Sequence, residues 1–115
     1  MSVLNENPLG MHADQVILTD NFVETTAAST LTTLQRVVTG DTTAAAYITK
    51  LPPVREAAGL MFFFYFKTDN VANWTVADYG DDPAFTHFVF EDAGDTGCCI
   101  SDGFHWHKLE SEGTA

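Results

Sequence analysis

The chain has 115 residues, with 16 Asp and Glu against 5 Lys and Arg, and a formal charge of -11. With no cluster of Lys and Arg to neutralise phosphates, nucleic acid is excluded as an expected partner, and an anionic membrane surface with it. Hydrophobic residues make up 45%, which suits one folded domain with its own core and excludes a wholly disordered chain.

Residues 1–22 open with MSVLNENPLG, which has neither a basic stretch nor an apolar stretch of signal-peptide type, so synthesis in a cytoplasm is expected. Pro8, Gly10 and a lack of period predict an extended N-terminal arm, with Val16–Phe22 as an entry strand. A single β domain is expected over 23–110, and a frayed acidic tail over 111–115. The Thr-rich stretch 23–35 suits a pleated surface better than a helix. Leu34–Val38 reads as a strand that turns at Gly40-Asp41, and Thr42–Leu51 as the next strand, stopped by Pro52-Pro53. Residues 53–58 predict one short helical turn, with Gly59 as its left-handed cap.

Leu60–Phe66 (LMFFFYF) is the most apolar segment. It is too short to span a bilayer as a helix, and its aromatic content favours a strand. Being apolar on both faces, it is expected to be covered on both and so central in the fold, with Met61, Phe63 and Tyr65 on one side and Leu60, Phe62, Phe64 and Phe66 on the other. Further strands are expected at Trp74–Tyr79, Ala84–Phe90, Cys98–Ser101 and Phe104–Leu109. Turns at Gly80–Pro83, Asp92–Gly97 and Asp102-Gly103 separate them. The predicted fold is all-β: an antiparallel β-sandwich or small β-barrel.

No catalytic constellation emerges, so no catalytic, cofactor-binding or metal-binding residue is assigned and no enzyme is expected. Ser29, Ser101 and Ser111 lack nucleophile-elbow glycines, and no phosphate loop is present. Asp81 and Asp82 could offer turn oxygens to calcium, against the ordinary role of turn carboxylates in capping backbone donors. His105 and His107, two apart on a strand, would share one face, so that three copies around a three-fold axis would present six imidazoles. The competing reading leaves both in solvent. His87 reads as a hydrogen-bonded core or interface residue. Adjacent Cys98 and Cys99 define no disulfide framework and should point to opposite faces. Asn73-Trp74-Thr75 matches a glycosylation sequon, read as chance without a secretory signal.

Three short motifs point to a family. Leu51, Pro52, Pro53, Ala57, Ala58 and Gly59 lead into the apolar strand; Lys67, Ala72, Asn73 and Val76 follow it; Ser101, Asp102, Gly103 and Trp106 form the closing hairpin. Together they resemble small β modules of tailed bacteriophages, found in tail-fibre segments and in capsid decoration (cement) proteins. The stretch YGDDPAFTHFVFEDAGD stands where that family is often rich in glycine. The resemblance implies a homotrimeric β structure, a major capsid protein as partner and a place on the capsid surface of a virion, where the protein would stabilise the head. The alternative is a receptor- or carbohydrate-binding module of a tail or head fibre, with Trp74, Trp106 and Tyr79 as a stacking platform. A small metal enzyme of the cupin type, using His87, His105 and His107, is a third reading.

Overall fold

The computed structural model describes residues 21–110. Most of the expected arm 1–22, and the expected tail 111–115, lie outside the described residues. Within them, nine strands run in chain order: β1 (Phe22–Thr25), β2 (Ser29–Thr30), β3 (Val37–Asp41), β4 (Tyr47–Lys50), β5 (Met61–Thr68), β6 (Trp74–Ala77), β7 (Phe88–Phe90), β8 (Thr96–Ser101) and β9 (Trp106–Glu110). Five form a sheet in the order β1-β3-β5-β8-β9, and four form a second sheet in the order β2-β4-β6-β7.

The all-β class agrees with the sequence reading; the purely antiparallel arrangement does not. Strands β1, β3 and β5 run parallel, as do β2, β4 and β6. Antiparallel pairing is confined to β5–β8, β8–β9 and β6–β7. Up to β6, consecutive strands alternate between sheets, and each returns beside the strand two earlier. The chain therefore winds as successive rungs of a coil before β7, β8 and β9 close it by antiparallel pairing. In such a coil each rung buries its apolar side chains against the next.

The central apolar segment falls where it was expected. Strand β5 is third of five, and its burial alternates strictly, with Phe62, Phe64 and Phe66 inward. Two of them meet rings of the second sheet: Phe64 packs edge-on to Trp74, with centroids 6.2 Å apart, and against Phe88 at 5.5 Å, while Phe66 lies 6.0 Å from Trp74. Phe62 packs edge-on to Trp106 of β9 at 5.5 Å. Both sheets thus share one core. Each fully buried Phe is worth on the order of 2–3 kcal/mol of apolar transfer.

Several local expectations need correction. Gly40-Asp41 is not a turn but the end of β3, since the Trp74 ring lies against Gly40 and holds it in the sheet. Strand β4 is shorter than Thr42–Leu51, because Thr42 leaves the ladder to bond the β5–β6 turn: its hydroxyl donates to the carbonyls of Ala72 and Thr68. Residues 53–58 make turns rather than a helix. Only the three-residue bonds Glu56 N to Pro53 O and Ala57 N to Val54 O form, and the Val54 carbonyl is also taken by the Ser101 hydroxyl. Gly59 does adopt the left-handed conformation, with φ of 81°. Only Phe88–Phe90 of the expected strand 84–90 is strand.

Candidate functional site

Alternation on β5 sends Met61, Phe63 and Tyr65 to the side away from the core, and parallel register extends that side across the sheet. Phe63 stands beside Val37, and Val37 beside Phe22. On the other flank Met61 stands beside Ile100, and Phe63 beside Cys98. The result is an apolar face without a covering layer among the described residues: Phe22, Val37, Met61, Phe63 and Tyr65 are 51, 44, 37, 47 and 46% exposed. Scattered apolar residues on a surface need no explanation, whereas a contiguous patch on one sheet face marks an interaction surface.

The charges on this face lie at its margins: the Glu24–Lys67 pair at one end, and Glu110 beside Cys98 at the β9 edge. Lys67 Nζ donates to the Glu24 carboxylate across the end of β3, and this contact raises the lysine pKa. At the β5 start, Asn21, Arg36, Val37, Gly59, Met61 and Phe63 line an open hollow of about 310 Å³. The Arg36 backbone is tied on both sides: its N–H donates to Asn21 O, and its carbonyl accepts from Phe63 N. Its side-chain Nε is buried with no acceptor among the described residues.

The sequence-derived candidates gather at the opposite edge, in three separate imidazole–carboxylate pairs. His105 Nδ1 lies 3.1 Å from Asp82 Oδ1, His107 Nε2 lies 2.8 Å from Asp102 Oδ2, and His87 Nε2 lies 3.6 Å from Asp78 Oδ1. His105 and His107 therefore turn to different carboxylates rather than to a common centre. No group of three metal-ligating side chains comes together among the described residues. Asp81 and Asp82 are structural acceptors: Asp81 Oδ2 takes the Val54 N–H at 3.0 Å, and Asp82 Oδ2 takes the Trp106 N–H at 2.7 Å.

Asp82 is buried, which alone would raise its pKa. The Trp106 amide, the His105 hydrogen bond and the His105 charge outweigh that and hold it below the usual carboxylate value. The same hydrogen bond pushes His105 up. The His107 bond, joined by the amides of His105 and Phe104, holds Asp102 well below the carboxylate range.

The tryptophans depart from expectation, and the cysteines follow it. Trp74 and Trp106 are core residues, with Trp74 Nε1 donating to Thr49 Oγ1 at 2.9 Å, so only Tyr79 of the supposed stacking platform is exposed. Cys98 and Cys99 are both buried free thiols on opposite sides of β8, and burial pushes the Cys99 thiol far up, away from thiolate chemistry. The residues that sequence reasoning missed are Phe22 and Val37. Their places on the outer face follow only from the parallel register, which local periodicity does not encode.

Comparison of the chain with protein-family models, with curated proteins and with solved structures finds no match. No helix among the described residues is long and apolar enough to cross a membrane.

Proposed function

We propose that this chain is a non-enzymatic structural protein of a tailed-phage virion, a decoration protein that binds the outer surface of the head and stabilises it. The observation that carries this reading is the face of the five-stranded sheet that no other described residue covers, where five large apolar side chains are exposed. Such a surface suits a protein that works by contact within an assembly, where apolar side chains exposed on one copy become buried. In this reading the two sheets are the leaves of a β-sandwich, the working unit is a homotrimer, and the major capsid protein is its partner.

The motif resemblance gains some spatial coherence. The Leu51–Gly59 turn and the Ser101–Trp106 hairpin, far apart in sequence, lock onto each other: Ser101 Oγ donates to Val54 O at 2.7 Å, and Gly59 N donates to Ser101 O at 2.8 Å. The fibre-module alternative loses its aromatic platform, because two of its three rings are in the core.

The test is mass spectrometry of purified phage particles released by the cells that encode the chain, with immunogold electron microscopy of the same particles. Label over the heads supports decoration. Label confined to fibres supports the alternative, and particles without the protein overturn both.

A further inference from the structure

Resting on that contact reading, we propose that the outer face of the five-stranded sheet is where copies of this chain meet, with Phe63 near the middle of the contact and Phe22, Val37, Met61 and Tyr65 around it.

The first argument is size. Strands of four, five, eight, six and five residues, rising about 3.3 Å per residue at about 4.8 Å spacing, span roughly 440 Å². As a flat footprint that is about half the roughly 800 Å² of accessible surface per partner in a stable protein interface, the scale of a small interface between proteins. Charge is the second. A chain of formal charge -11 repels its own copies wherever acidic surfaces approach. On this face the Glu24 and Lys67 charges cancel each other, and the middle rows present Phe22, Val37 and Phe63, then Met61 and the half-buried Ile100. Along these middle rows two acidic copies can approach without opposing charges of one sign, while Glu110 stands apart at the β9 edge beside Cys98. A basic partner, by contrast, would find its complement on the acidic remainder of the surface rather than here.

Arg36 supplies an independent observation. Its buried Nε lacks an acceptor among the described residues and lies at the hollow that opens onto this face. A buried donor without an acceptor costs about 1–3 kcal/mol, and an arginine pairs best with a carboxylate. A neighbouring copy, rich in carboxylates, brings one to that rim.

The test uses the full-length chain in three forms: wild type, Phe63→Glu and Val37→Glu. Both positions are near half exposed, so near-UV circular dichroism should show that the variants keep their packed core. Sedimentation is then followed over a wide concentration range. The wild type should run at a multiple of 12.6 kDa, three-fold for the trimer, and the variants should need at least 30-fold more protein to associate. A second readout needs no substitution: Met61, partly exposed on one copy, should be oxidised by peroxide more slowly in concentrated than in dilute wild-type protein.

A wild type that is monomeric throughout overturns the proposal. In that case slow Met61 oxidation at every concentration names residues 1–20 of the same chain as the cover, and fast oxidation leaves the face for another protein. An oligomer that survives both substitutions, with Met61 oxidised at one rate throughout, overturns it as well. Copies that associate through this face but are absent from virions sink the decoration reading alone, whereas a monomer found on heads sinks only the self-contact.

Discussion

The indole of Trp74 occupies the space that a side chain at Gly40 would need: a Cβ built on Gly40 would come within 2.3 Å of the ring. Trp74 belongs to the four-stranded sheet and Gly40 to the five-stranded one, so this contact sets how closely the two sheets approach there. Gly97 repeats the device on β8, where a Cβ would meet the Phe88 ring at 2.8 Å. Gly40→Ala should therefore destabilise the protein by about 3 kcal/mol, at the upper end of core overpacking, because a fully buried indole has nowhere to move. Denaturant unfolding measures it, and an unchanged midpoint would show that the ring does not sit there.

Tyr47 ties the first two rungs of the coil together. Its hydroxyl donates to Thr25 O at 2.7 Å and accepts the Asp41 N–H at 2.9 Å, with Thr25 Oγ1 also 2.9 Å away. Tyr47→Phe takes this partner from the Asp41 N–H and the Thr25 carbonyl, while Thr25 Oγ1 keeps its bond to Thr39 O, so a loss of about 1–3 kcal/mol is expected, with the fold retained. Comparable stability in the two proteins would mean that water reaches this cluster.

Val71, at the β5–β6 turn, is fully exposed and has a φ of 58°, a left-handed conformation that a β-branched side chain resists. Val71→Gly or Val71→Asn should stabilise the protein by about 1 kcal/mol, since neither loses a packing contact and both enter that region readily. A lower melting temperature for both variants would refute the strain argument.

The His105–Asp82 pair imposes a pH window. His105 is raised above its ordinary value of 6.5, chiefly by the hydrogen bond to Asp82, so its contribution is complete below pH 6.5 and fades as pH rises through the folded-state pKa. Asp82 is held below 3.8, so its contribution is present above that value and is lost as pH falls through its folded-state pKa. Together they support the fold most between those two values. In a proton-NMR titration the His105 ring should titrate above 6.5, and Asp82→Asn should bring it down. A wild-type midpoint at or below 6.5 would break the assignment.

Much of the fold was legible where the signal is local. The alternation of LMFFFYF sorted Phe62, Phe64 and Phe66 from Met61, Phe63 and Tyr65, because successive side chains on a strand must point to opposite faces. The Asp102-Gly103 turn and the left-handed Gly59 were readable for similar reasons: turn chemistry depends on residues within reach of each other. The candidate site was only half legible. Its β5 members were sorted correctly, but Val37 and Phe22 join them through pairings across the sheet.

What the sequence by itself determined, then, is an acidic all-β chain built around one two-faced apolar strand. The tertiary structure alone decided that strands run parallel through a coil, that Gly40 belongs to a strand and that Trp74 belongs to the core. Among the described residues it also left the Met61–Phe63–Tyr65 face without a covering layer, although the sequence reading expected both faces of that strand to be covered. The physical reason is common to all four. A strand carries the same period whichever way its neighbour runs, so direction, register and the covering of a face are settled only by which distant segments pack together.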